Sequence, residues 1–229
     1  EYDTYYPQNG WVEQNPEDWY IATKENIKAV LEKSKINPSD IKAVALDAAT
    51  HTAVVMDKDF HVLRPSIYWT DTRTQKEVAI LNEKYYNIIL KQVLHNPGTI
   101  WTLPQLMWIK ENEPEVWEIV EKICFAKDYV RHKLTDDYVT DNIEAEGSML
   151  FDYNKQCWSK ELCDIIDFDT EKLPRIVSPT DLVGKITKEA AEDTGLFEGT
   201  PVICGSTDTV MEVFAAGGIE KEAMTIKLA

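Results

Sequence analysis

The sequence predicts an α/β fold built on a mixed sheet. Three observations point to it. Short apolar runs that read as buried strands alternate with helical patterns along the chain. A tight hairpin at Lys58-Asp59-Phe60 joins two neighbouring strands antiparallel in the first half. An apolar run, Val202-Ile203-Cys204, turns through Gly205 and Ser206 directly into good helix formers, the strand-to-helix step at which open α/β sheets bind ligands.

Each element has a local reason. Residues 1–14 are aromatic and irregular, with a turn at Asn9-Gly10. Asn15-Pro16-Glu17-Asp18 supplies an N-cap, a first-turn proline and two first-turn acids, so a helix starts there. Trp19, Ile27, Val30 and Leu31 give it a buried face. Ile41–Asp47, Thr52–Asp57 and Val62–Trp69 read as three strands, and a helix follows from about Arg73 to Tyr85. Asn96-Pro97-Gly98 breaks the chain. Leu103–Asn112 and Pro114–Val120 read as helices, Ile123–Ala126 as a buried strand, and Lys127-Asp128-Tyr129 as the opening of a further helix. Thr140–Ser148 reads as a loop entering a helix, and Trp158–Ile166 is amphipathic. Leu173–Ile186, with Pro174 and Pro179, reads as loop. Lys188–Thr194 is helical and stops at Gly195. Ala223–Ala229 reads as a last strand.

Composition narrows the function. The 229 residues suit one large domain or two small ones, with 44% hydrophobic and 28% charged residues. The balance of 24 basic against 40 acidic residues leaves a formal net charge of −16. That speaks against nucleic acid or an anionic membrane surface as partner. A small phosphorylated ligand remains compatible, because backbone N–H groups and a metal ion can hold it. Cys124, Cys157, Cys163 and Cys204 form no Cys-x-x-Cys pair and read as free thiols of a reducing, cytoplasmic compartment. No apolar run reaches membrane-spanning length and no signal peptide is visible.

Several chemistries lack their signatures. His51, His61, His95 and His132 have no ligand spacing, so no metal site is expected. Ser206 lacks the Gly-x-Ser-x-Gly context, because position 208 is Asp. There is no P-loop and no Gly-x-Gly-x-x-Gly. What remains are polar groups at strand exits: Thr50-His51, Trp69 with Asp71, and Ser206-Thr207-Asp208. Singly, His51 fits a satisfied loop residue, Trp69 a core residue, and Asp71 and Asp208 helix caps. Together they describe the lining of a pocket for a small polar molecule. Imidazole donates hydrogen bonds, carboxylates accept them, and an indole offers a flat face to a C–H-rich sugar or polyol. Asp208, at a helix N-terminus that favours a charged carboxylate, is the candidate proton acceptor for a substrate hydroxyl.

An ordered set of motifs resembles the FGGY carbohydrate kinases. It comprises Tyr6-Pro7-x-x-Gly10-Trp11-Val12-Glu13-Gln14-x-Pro16-x-x-Trp19, then Ala48-Ala49-Thr50-His51-Thr52-Ala53-Val54-Val55-Met56-Asp57, then Leu63-Arg64-Pro65-x-Ile67-Tyr68-Trp69-x-Asp71-x-Arg73. Lys127-Asp128-Tyr129-x-Arg131, Thr140-Asp141 with Ser148, Trp158-Ser159 and Gly205-Ser206-Thr207-Asp208 follow in the family's order. The resemblance implies an RNase H-like fold of the actin and hexokinase type. It implies ATP and Mg²⁺ as cofactors and a sugar substrate, with Asp208 as catalytic base. His51, Thr50, Trp69 and Asp71 would contact the sugar, His51 in the manner of xylulokinases. The family's Asp-x-Gly-Thr phosphate loop is absent. Residues 1–229 are therefore expected to be most of the N-terminal sugar-binding domain, without the C-terminal nucleotide-binding domain and inactive alone. A ketopentose such as xylulose is the expected acceptor. Ribulose, gluconate or glycerol, a non-catalytic sugar-binding role, and a homodimer are left open.

Overall fold

The computed structural model describes residues 2–218 and 224–225. Its first half carries β1 (Glu13–Gln14), α1 (Pro16–Ser34), β2 (Asp47–Ala48), β3 (Ala53–Met56) and β4 (Ser66–Ile67). A long helical arm follows: α2 (Gln75–Ile80), a π-helical turn over Leu81–Tyr85, and α3 (Tyr86–Gln92). Next come α4 (Thr102–Asn112), α5 (Pro114–Trp117), β5 (Lys122–Phe125), α6 (Ala126–Thr135), β6 (Val139–Asp141) and α7 (Asn142–Gly147). The last third holds β7 (Phe151–Asp152), β8 (Cys157–Trp158), α8 (Lys160–Cys163), β9 (Arg175–Val177), β10 (Leu182–Lys185), α9 (Lys188–Thr194), β11 (Pro201–Ile203), β12 (Ser206–Thr207) and α10 (Asp208–Ala215).

Helix α1 begins as its sequence dictates. The Asn15 side chain accepts the Glu17 N–H at 3.2 Å, and Pro16 occupies a turn where no amide donor is needed. It ends at Lys35 in the left-handed region (φ 55), whose N–H returns to the Leu31 carbonyl.

Strand β3 marks the middle layer. It pairs antiparallel with β5, from Ala53 opposite Phe125 to Met56 opposite Lys122. Its alternation feeds two cores. Ala53 and Val55 join Leu81, Leu103, Leu106 and Ile123, while Val54 and Met56 join Trp19, Tyr129, Leu134 and Val202. A strand buried on both faces is the mark of a sheet covered by helices on each side. Each large side chain fully buried here contributes about 1.5–3 kcal/mol relative to exposure.

Two parallel pairings position the site. β2 pairs with β12, Asp47 opposite Ser206 and Ala48 opposite Thr207. β6 pairs with β9, Val139 opposite Arg175. Because β2 and β12 run the same way, their C-terminal exits, Ala49-Thr50-His51 and Asp208, leave from one sheet edge. Gly205 makes the approach possible. At φ 74, a Cβ on it would lie 1.9 Å from the Leu46 carbonyl oxygen, so no other residue fits without moving that strand.

The structure corrects several elements. Ile41–Asp47 contributes a bridge at Val44 and the short β2, and Val62–Trp69 a bridge at Val62 and the short β4. The helix expected to end near Tyr85 continues to Gln92 through the π turn. Leu173–Ile186, expected as loop, holds β9 and β10, and Thr140-Asp141 completes β6 rather than a loop. Pro174 and Pro179 border those strands, and the partners of β9 and β10, β6 and β11, are remote in sequence or separated by a helix. The strand expected over Ala223–Ala229 lies outside the described residues except for Met224 and Thr225. No helix among the described residues is long and apolar enough to cross a membrane. All four cysteines are free thiols.

Candidate functional site

A cavity of about 520 Å³ opens at the edge where β2 and β12 end. One wall is Thr50 and His51, the other Thr207, Thr209 and Val210. Trp101, just before α4, His95, after α3, Gly147 and Tyr153 also line it. Asp208 is not itself among the lining residues, but its chain neighbours Thr207 and Thr209 both are. It is half-buried at the first position of α10, and its Oδ1 accepts the Thr209 N–H at 2.6 Å and the Thr209 hydroxyl at 3.2 Å. The positive end of α10 lies at that carboxylate.

His51 is held tightly. It adopts φ 65, a left-handed conformation that non-glycine residues rarely take. Its N–H donates to Glu144 Oε1 at 2.7 Å, and its carbonyl accepts the Thr102 hydroxyl at 2.9 Å. The imidazole packs 4.6 Å from the Trp101 ring, which in turn lies 4.1 Å from the His95 ring. Gly147 makes room for it, since a Cβ there would fall 1.8 Å from His51 Cε1. Burial, reinforced by His95, pushes the His51 pKa down to about 3. The ring is therefore neutral at physiological pH and offers one donor and one acceptor.

Beneath the cavity lies a buried charge cluster. Lys127 Nζ sits 2.6 Å from Asp128 Oδ1, 2.7 Å from Asp141 Oδ2 and 4.0 Å from Glu144 Oε2. Arg131 Nη1 donates to Asp128 at 2.9 Å and to the Cys204 carbonyl at 3.0 Å. Asp141 Oδ1 accepts the N–H groups of Ile143 and Glu144, capping α7, and also the Ser206 hydroxyl at 3.1 Å. Burial drives the Glu144 pKa up to about 8 against the opposing pull of Lys127. Burial depresses Lys127, but its carboxylate neighbours outweigh that and its pKa rises.

The sequence-chosen residues divide here. Thr50, His51 and the segment carrying Asp208 meet at one cavity. Trp69 and Asp71 are not among its lining residues. Trp69 is 45% exposed. Asp71 is 1% exposed and bound to Arg73, whose Nη2 lies 2.8 Å from Asp71 Oδ2 and whose Nη1 lies 2.8 Å from Glu13 Oε1. The same guanidinium stacks 3.8 Å from the Trp11 ring. Asp71 thus helps brace the N-terminal arm. Sequence reasoning passed over Trp101, His95, Gly147 and Glu144. Trp101 carried one usable signal, an aromatic ring at a helix entrance after a Pro-Gly break.

Comparison with known proteins adds a further observation. Residues 1–215 match the profile described as "FGGY family of carbohydrate kinases, N-terminal domain". The chain belongs to the FGGY family of carbohydrate kinases. A relative, the xylulose kinase of Bacillus subtilis (strain 168), is 33% identical over 208 residues, covering 91% of this chain and 42% of that protein. The xylulose kinase structure from Rhodospirillum rubrum superposes with a TM-score of 0.89 at 26% identity, over 96% of this chain and 45% of that one. The gluconate kinase structure from Lactobacillus acidophilus gives 0.86 at 26% identity, over 92% and 42%. The α/β fold is thus that of the FGGY sugar kinases, of the actin and hexokinase type. The FGGY chain described here spans less than half the length of the curated relatives it matches.

Proposed function

We propose that the polypeptide carrying this domain transfers the γ-phosphate of ATP to a hydroxyl of a ketopentose such as xylulose, with Asp208 as the base on the attacking oxygen. The observation that supports this most is the parallel pairing of β2 with β12, with Thr50 and His51 after one strand and Thr207 and Thr209, the neighbours of Asp208, at the end of the other, all lining one cavity. The lining suits a neutral polyol. Thr50, Thr207 and Thr209 carry hydroxyls that both donate and accept, neutral His51 does the same across its ring, and Trp101 offers an apolar face. In this reading Asp208 orients one hydroxyl and takes its proton late, because an alcohol is far less acidic than a carboxylic acid. His51 and Trp101 hold the sugar so that a single oxygen lies in line.

The cavity does not fit the phosphates or their metal ion. Among the described residues, no Lys or Arg lines it. Among the described residues, the group of side chains close enough to share an ion is Asp57, Asp59 and His61, on the hairpin after β3 and outside this cavity. ATP and Mg²⁺ therefore belong, in this proposal, to a separate nucleotide-binding domain of the longer polypeptide. A cytoplasmic location remains part of the proposal.

A coupled ADP-release assay tests it, with xylulose, ribulose, gluconate and glycerol as acceptors. The polypeptide with both domains is expected to turn over a ketopentose fastest, and residues 1–229 alone to release no ADP. Preferred turnover of gluconate would favour the reading suggested by the gluconate kinase likeness. Robust turnover by residues 1–229, or sugar binding without ADP release by the two-domain polypeptide, would overturn the proposal.

A further inference from the structure

We propose that Glu144 is a positioning residue for the sugar: its buried carboxyl fixes the left-handed backbone at His51 and ties that loop to the strand that leads into Asp208. The inference rests on the sugar-site reading above.

The connections are continuous. Glu144 is fully buried, and Oε1 accepts the His51 N–H at 2.7 Å. The same oxygen lies 3.9 Å from His51 Nδ1, so no second bond competes for it. The Glu144 main-chain N–H is bound by Asp141 Oδ1, and Lys127 Nζ lies 4.0 Å from its Oε2. Asp141 also takes the Ser206 hydroxyl, one residue before Thr207 on the opposite wall. Thus Glu144, Asp141 and Lys127 join the two sides of the cavity from below. A non-glycine residue holds a left-handed conformation only when its surroundings over-determine it. At His51 those surroundings are Glu144 on the amide, Thr102 on the carbonyl and Gly147 under the ring.

The cluster also explains why the position carries an acid that need not be charged. Asp128, Asp141 and Glu144 face only Lys127 and Arg131, so the cluster holds one carboxyl more than its cations balance. Glu144 is the outlying member, and its Oε2 has no hydrogen-bond partner. A neutral carboxyl still accepts the His51 N–H through a carbonyl oxygen. The role therefore depends on the reach of the side chain rather than on its charge.

Reach and charge separate in two substitutions of the two-domain polypeptide. Glu144→Gln keeps the reach and removes the ionisable group. Glu144→Asp keeps an ionisable carboxyl and shortens the side chain by one methylene. The sugar KM, kcat and ATP KM are measured for both, with His51→Ala as reference. The expected result is a sugar KM within about threefold of wild type for Glu144→Gln. For Glu144→Asp a rise of roughly tenfold is expected, with ATP KM unchanged. A role in charge balance alone predicts the reverse ranking, and that outcome would overturn the inference. So would an unchanged sugar KM in Glu144→Asp while His51→Ala raises it, which leaves the sugar site intact. An unchanged sugar KM in His51→Ala would remove the sugar-site reading and this inference with it.

Discussion

Replacing Asp208 by Asn in the two-domain polypeptide is expected to lower kcat by about 10²–10⁴-fold, the range over which a positioned general base acts. The sugar KM should stay within a few-fold. The reason is chemical rather than steric. An amide has nearly the shape of a carboxylate, and its oxygen can still take the Thr209 N–H and hydroxyl that Asp208 accepts now. The N-terminal turn of α10 should therefore persist. What the amide cannot do is take up a proton as phosphoryl transfer completes. Steady-state kinetics decide the matter. A near-normal kcat would remove Asp208 from the mechanism, and a large rise in KM with kcat preserved would recast it as a binding residue.

Replacing Lys127 by Met is expected to produce the largest loss of stability. Lys127 is buried among three carboxylates, 2.6 Å from Asp128 and 2.7 Å from Asp141. Methionine has similar length and packs without strain, so lost volume is a minor effect. The remaining cation, Arg131, is committed to Asp128 and to the carbonyls of Cys204 and Val139. Asp141 would be left buried without its ion-pair partner. Breaking one side of a buried pair costs about 3–5 kcal/mol. For a domain of this size that corresponds to a fall in Tm of roughly 6–20 °C. Adding Asp141→Asn to Lys127→Met should recover part of the loss, because it removes the stranded charge while an amide oxygen still caps α7. Calorimetry checks both. A Tm within about 2 °C of wild type for Lys127→Met would mean that water or a proton shift neutralises the site.

Much of the architecture was legible because it is written locally. Asn15-Pro16 announced α1, Gly195 closed α9, and the Asp57–His61 turn carried the chain out of β3. The failures share one physical cause. Strands β9 and β10 are short, bordered by prolines, and made regular only by partners that local periodicity cannot reveal. The π turn at Leu81–Tyr85 likewise extended a helix past the expected stop.

The site divides along the same line. Thr50-His51 and Asp208 were legible as candidates because each follows a strand, and the two strands form one parallel pair. Trp69 and Asp71 follow β4, which pairs with β1, and they do not line that cavity, although Tyr68 just before them shares a second cavity with Ala48, Ala49 and Thr52. Asp71 then found Arg73 two residues on. Glu144 and Lys127 were invisible as partners. They come from different helices, and only the fold brings their charges together under His51.

A crystal structure of the two-domain polypeptide with a ketopentose tests the central claim most directly. The sugar is expected in the cavity between His51 and Thr207, its carbon face on Trp101. One hydroxyl oxygen should lie about 2.6–3.2 Å from a carboxylate oxygen of Asp208. Sugar bound outside that cavity, or with every hydroxyl turned away from Asp208, would contradict the account.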